Sequence, residues 1–144
     1  MSEGGKCALI MAGGTGGHIF PGLAVAQGLR ARGWRVHWLG APDSMESRIV
    51  PPQGFALELI DFSGVRGKGV VTLALLPLGL LKAFWQSIQL IRRVKPDVVV
   101  GLGGYITFPA GMMGVLLGKP LVLHEQNSVA GMANKVLAGV ADRV

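Results

Sequence analysis

Paired cysteines are missing from this sequence. Its one cysteine, Cys7, excludes a disulfide scaffold and any zinc site built on paired thiolates, and it fits a reducing compartment. Charge is sparse too: 15% of residues, where an average globular chain carries about 25%. Apolar residues make up 50%. Intrinsic disorder needs the opposite balance and is excluded. The 23 glycines follow no G-X-Y period, which excludes collagen. Acidic residues are the scarcer sign: 8 Asp and Glu against 14 Lys and Arg, a net charge of +6. Such a surplus favours anionic partners, whether nucleic acid, phosphorylated ligands or acidic lipid. The basic residues stand singly or in pairs, and no nucleic-acid-binding motif accompanies them, so no nucleic-acid partner is expected. At 144 residues the chain is about one domain and long enough to bury a core.

An apolar run fit to cross a bilayer is also missing. Residues 70–81 are uncharged but too few to span, and Pro77 interrupts them. Residues 98–118 are uncharged and long enough, but they hold six glycines and Pro109. A buried strand, a turn at Gly103-Gly104-Tyr105 and a buried helix account for them. No signal peptide is read at the N-terminus, where Ser2-Glu3-Gly4-Gly5 leads into a short apolar run and then glycines. These readings predict a cytoplasmic protein, though not necessarily one away from membranes.

What is present is an alternation of short apolar runs with helical stretches. Strands are expected at 7–11, 35–39, 57–61, 97–102 and 121–124. The first helix is expected at 22–32, with Pro21 in its first turn and Gly33 at its C-terminal stop. A short second helix runs from Asp43, paired with Glu46 as in a capping box, to about Val50, where Pro51-Pro52 ends it. Residues 63–69 read as a loop, and 70–94 as a long helix kinked or interrupted at Pro77. Further helices are expected at 108–117 and 129–140, and Arg143-Val144 opens another element, so the pattern stops midway. Strands alternating with helices give an α/β fold, a Rossmann-like parallel sheet with helices on both faces. Ligands of such sheets lie beyond the C-terminal ends of the strands. That directs attention to the loops after the first, fourth and fifth strands.

The first of these loops is Ala12-Gly13-Gly14-Thr15-Gly16-Gly17-His18. A plain turn needs one glycine. Four among five residues let a backbone approach a ligand closely, and the positive end of the following helix favours phosphate. It is not a Walker A loop, because His18 stands where the second glycine belongs and no lysine follows. Nor is it a dinucleotide fingerprint: Ile19 stands where Gly14-x-Gly16 would need its third glycine, and Leu39-Gly40 replace the acid at the end of the second strand. His18 is a structural hydrogen-bonder or a general base, since imidazoles exchange protons near neutral pH. The second loop, Gly103-Gly104-Tyr105, is another glycine turn with a phenol at its end. The third, His124-Glu125-Gln126-Asn127, places four polar side chains directly after an apolar strand, as a polar ligand requires. His18, His37 and His124 fall in separate elements and no Asp-x-Asp occurs, so no metal is expected. Leaving charge would then be stabilised by backbone N–H groups and helix ends.

Residues 65–95 combine apolar side chains with cations. Leu73, Leu76, Leu80, Phe84 and Trp85 beside Lys68 and Lys82 are the expected contacts with an anionic membrane surface. A fully buried helix, or a contact with another domain, is the alternative.

Taken together these residues resemble the MurG family, bacterial glycosyltransferases of peptidoglycan synthesis. The resemblance is carried by residues 11–18 (Met-Ala-Gly-Gly-Thr-Gly-Gly-His), 20–24, 38–40, 63–69, 95–98, 103–105 and 124–127. It implies a GT-B architecture of two Rossmann-like domains, with residues 1–144 as the N-terminal, acceptor-binding and membrane-associating one, and the C-terminal donor-binding domain absent. It implies transfer, with inversion and without a metal, of N-acetylglucosamine from UDP-N-acetylglucosamine. The acceptor is the 4-hydroxyl of the N-acetylmuramoyl group of lipid I, and the product is lipid II. No cofactor beyond the donor substrate is implied. The partners are undecaprenyl-linked lipid I, UDP-N-acetylglucosamine together with the missing domain, and the cytoplasmic face of the bacterial inner membrane. Thr15, Gly16, Gly17 and Asn127 would meet the donor. Gly14, Gly103, Gly104 and Tyr105 would meet the acceptor. His18 would be the general base, with Glu125 as the other candidate catalytic group. The chain alone is expected to be inactive. The alternatives are a non-catalytic module for a phosphorylated ligand or membrane, and another GT-B glycosyltransferase with a hydrophobic acceptor.

Overall fold

The computed structural model describes residues 5–13, 16–61, 70–104, 106–124, 137–139 and 141–142, with backbone alone for 16 and 70–76. The elements run β1 (Cys7–Ala12), α1 (Gly16–Ala31), β2 (Arg35–Gly40), α2 (Met45–Ile49), β3 (Ala56–Leu59), α3 (Val70–Val94), β4 (Val98–Gly103), α4 (Thr107–Leu116) and β5 (Leu121–Leu123). The strands form one five-stranded sheet in the order β3-β2-β1-β4-β5, and every pairing is parallel.

Side chains alternate across the sheet, so β1 feeds two cores at once. Cys7, Leu9 and Met11 join Leu90, Ile91, Val94 and Ala110 on the side covered by α3 and α4. Ile10 and Ala12 join Ile19, Leu23, Ala26 and Trp38 on the side of α1. Burial on both faces explains why the strands read as unbroken apolar runs. Two aspartates anchor strand starts. The Asp97 carboxylate accepts the Cys7 N–H at 2.7 Å, and the Asp142 carboxylate accepts the Leu121 N–H at 2.8 Å. Asp97 therefore precedes β4 rather than opening it, and β3 ends before Asp61.

Three expectations are corrected. Helix α1 begins six residues before Gly22, so Pro21 lies inside it. Ile19, Leu23 and Ala26, all buried, form one stripe at helical spacing, and burying Ile19 draws the chain into helix ahead of the proline. Helix α2 is capped one residue later than expected. The Ser44 hydroxyl accepts from the Ser47 N–H (3.2 Å) and the Ser47 hydroxyl from the Ser44 N–H (2.9 Å). Asp43 takes a left-handed φ of 55°, and Glu46 turns inward. Helix α3 runs through Pro77 without interruption. The expected helix 129–140 lies outside the described residues except at 137–139, where Leu137 is buried against Gly111 of α4. Residues 63–69 and 143–144 lie outside them too.

Candidate active site

Strand order reverses direction between β1 and β4, and in open parallel sheets that is where a crevice opens at the C-terminal ends of the strands. The two strands shift register there: Met11 pairs with Gly101 but Ala12 with Gly103. Leu102 is thus one extra residue on β4, a bulge of the kind that re-aims the chain beside a site. The two following loops are then tied together, the Gly13 N–H donating to the Gly103 carbonyl at 3.2 Å.

His18 lies in the first turn of α1 rather than in the loop. It is half-buried, and its Nδ1 is 3.0 Å from the Gly13 carbonyl oxygen. A carbonyl only accepts, so Nδ1 carries the proton in this bond, and a neutral ring then has its lone pair at Nε2. The ring lies on Gly103: a Cβ there would stand 2.7 Å from His18 Nε2. A Cβ on Gly104 would stand 2.6 Å from the Gly13 carbonyl oxygen, and the two glycines have φ of 123° and 102°. Close packing and left-handed backbone both require glycine at these positions. The Gly104 carbonyl is held by the Thr107 hydroxyl at 2.7 Å.

Two side chains missed in the sequence support the loop from below. Trp38 is fully buried, donates Nε1–H to the Ala12 carbonyl at 3.0 Å, and fills the space beside Gly22. Glu46, read as a capping residue, is buried instead, and its Oε2 accepts the Ala41 N–H at 3.1 Å. Neither has a sequence signal of its own, because each depends on a partner strand.

Of the expected donor contacts, Gly16 and Gly17 open α1 at this crevice. Of the expected acceptor contacts, Gly103 and Gly104 are there. Gly14, Thr15, Tyr105, Glu125 and Asn127 lie outside the described residues. His124 follows β5 and donates its backbone N–H to the Gly101 carbonyl at 2.8 Å. His37 bonds Glu58 on β3 at 2.9 Å. No group of three His, Cys, Asp or Glu able to hold a metal lies among the described residues.

On α3 the outward stripe differs in part from the expected one. Leu78, Leu81 and Trp85 are 64%, 62% and 60% exposed, with the exposed Lys82 among them and the exposed Arg92 further along the helix. Leu80 and Phe84 are half-buried, and the Phe84 ring meets Phe108 of α4 at 6.1 Å between centroids. Leu73, Leu76 and Lys68 are not among the described side chains. No helix among the described residues is long and apolar enough to cross a membrane.

Residues 8–144 match the N-terminal domain of glycosyltransferase family 28. The chain belongs to this family. It is 82% identical, over 96% of its length, to a protein of Polaromonas naphthalenivorans named UDP-N-acetylglucosamine–N-acetylmuramyl-(pentapeptide) pyrophosphoryl-undecaprenol N-acetylglucosamine transferase. It covers 40% of that relative. Among solved structures it matches MurG of Acinetobacter baumannii with a TM-score of 0.84 and 42% identity, covering 95% of this chain and 40% of that one. The kitacinnamycin glycosyltransferase matches with a TM-score of 0.66 at 19% identity, covering 94% of this chain and 34% of that one. That likeness shows the fold alone. The family 28 chain thus spans about 40% of the length of the curated relative, and its fold is that of a GT-B N-terminal half.

Proposed function

We propose that this chain is the acceptor-side half of an inverting N-acetylglucosaminyltransferase. It would move N-acetylglucosamine from UDP-N-acetylglucosamine to the 4-hydroxyl of the N-acetylmuramoyl group of lipid I, giving lipid II. The observation that carries the reading is the His18 ring. The Gly13 carbonyl accepts a hydrogen bond from its Nδ1–H, so in the neutral ring Nε2 is the nitrogen able to take a proton. The transferase activity for which the 82% identical relative is named supports the substrates.

In this reaction His18 Nε2 takes the proton of the acceptor hydroxyl as that oxygen attacks the anomeric carbon from the face opposite the leaving group. The bond from the sugar to UDP breaks, and the diphosphate leaves with the electron pair. Its growing charge is met by the backbone N–H groups of the glycine loop and the positive end of α1, the kind of preorganised donors that replace a metal. Thr15, Gly16, Gly17 and Asn127 contact the donor. Gly14, Gly103, Gly104 and Tyr105 contact the acceptor, and Glu125 is the second candidate catalytic group. A lipid-linked acceptor brings the reaction to a membrane. The exposed Leu78, Leu81 and Trp85 with Lys82 and Arg92 suit an anionic leaflet, which supports a working position on the cytoplasmic face of the inner membrane.

The test is a chimera in which this chain replaces the matching segment of the Polaromonas naphthalenivorans relative. Supplied with labelled UDP-N-acetylglucosamine and a lipid I analogue, it is expected to form the disaccharide product, while the chain alone forms none. A folded chimera that binds the donor yet transfers nothing to the analogue would contradict the reading.

A further inference from the structure

Among the described residues Glu46 is the only charged side chain that is buried, at 1% exposure. Burying a carboxylate costs several kcal/mol unless hydrogen bonds hold it, and a leucine would fill the space without that cost. Helix α2 does not need an acid there, since Ser44 and Ser47 already cap it. The side chain lies instead across the C-terminal ends of β1 and β2. Its Cγ is 2.6 Å from where a Cβ on Gly40 would stand, and its Oε2 is 2.7 Å from the same point on Gly13. Ala41, the first residue after β2, donates its N–H to that oxygen at 3.1 Å. Gly13 is in turn the residue whose carbonyl receives the His18 ring.

We propose that Glu46 is a positioning residue. Its carboxylate, anchored by Ala41, wedges against Gly13 and so sets the carbonyl that holds His18 in the Nδ1–H tautomer. The catalytic consequence rests on the reading of His18 as the general base. The wedge does not, because it is a statement about the resting ring. It acts by shape and by accepting the Ala41 N–H, so glutamine serves in place of glutamate and shorter side chains do not.

The test is made on the chain labelled with 15N in its histidines, at a pH where imidazoles are neutral, with thermal unfolding recorded alongside. Ring 15N shifts separate a protonated nitrogen from one carrying a lone pair and so read the tautomer. Wild type and Glu46→Gln are expected to show His18 protonated at Nδ1. Glu46→Ala, and Glu46→Asp with its carboxylate drawn back by one methylene, are expected to show mixed tautomers. A folded Ala or Asp variant with the wild-type ring would overturn the proposal. So would a folded Gln variant whose ring leaves the Nδ1–H form, which keeps a decisive arm even if both shorter variants fail to fold. In the chimera, Glu46→Ala is expected to lower kcat about 10- to 100-fold, the scale of a small misplacement at a reacting group, with the donor KM little changed and Gln restoring the rate. If His18→Ala leaves transfer intact while Glu46→Ala still shifts the tautomer, the base reading fails and the wedge stands. An unmoved tautomer removes the wedge whatever the transfer rate does.

Discussion

At position 103 an imidazole ring occupies the room a side chain would need. The His18 ring stands 2.7 Å from a Cβ placed there, and φ is 123°. Gly103→Ala therefore meets both a collision and a backbone conformation that L side chains rarely adopt. It is expected to lower folding stability by about 1–3 kcal/mol, measured by urea unfolding, and to displace the ring. Unchanged stability would show that the loop relaxes without strain. Cys7 makes a second residue-scale case. Burial pushes its thiol pKa up, with Asp97 and Glu58 adding to the rise and Arg35 opposing it. A group whose folded pKa lies above its unfolded one stabilises the fold fully below the unfolded value, and that contribution is lost as pH rises through the folded value. Stability is thus expected to fall on the alkaline side of the ordinary thiol range, with the decline absent in Cys7→Ala. Iodoacetamide is expected to label Cys7 only on unfolding; rapid labelling of the folded chain would contradict its burial.

Helix α3 shows how an element can be legible while its faces are not. Its span of Val70–Val94 follows from the apolar-then-basic run, but the leucines between 73 and 81 fall on all sides of the helix, so periodicity alone does not choose the outward stripe. Packing chooses it: Phe84 turns to Phe108, and Leu78, Leu81 and Trp85 are left outside. Lys82 meets Asp61 at 3.0 Å, but that exposed pair is weak and leaves the lysine available to lipid phosphates. The double variant Leu81→Glu with Trp85→Glu is expected to lose binding to anionic vesicles while its circular dichroism stays unchanged. Leu80→Ala should bind nearly as wild type, since Leu80 is half-buried. Equal loss in both would move the contact to another face. The start of α1 illustrates the opposite difficulty. Pro21 is a strong local signal for a first turn, yet the helix starts at Gly16, because the sheet rewards burial of Ile19. Glu46 was misread for a related reason. Its spacing from Asp43 imitates a capping box, and only the closeness of β1 and β2 reveals that it faces Gly13.

The strand alternation, the parallel sheet and the loops at its C-terminal edge were legible because a doubly covered sheet writes unbroken apolar runs into the sequence. Strand order was not, since pairing between β1 and β4 joins residues some 90 positions apart, as Ala8 with Val98. That order makes the site: it sets the switch point between β1 and β4, joins Gly13 to Gly103, and presses the His18 ring between two loops. The proposed transfer rests on that ring acting as a base. The most direct measurement compares His18→Ala with wild type in the chimera, for transfer of labelled N-acetylglucosamine to a lipid I analogue, with donor binding measured on the same preparations. With His18 as the base, His18→Ala is expected to lose rate by roughly 10²-fold or more with donor binding intact. A near wild-type rate would contradict it, and would leave the glycine loops as an electrostatic cradle with the proton taken elsewhere.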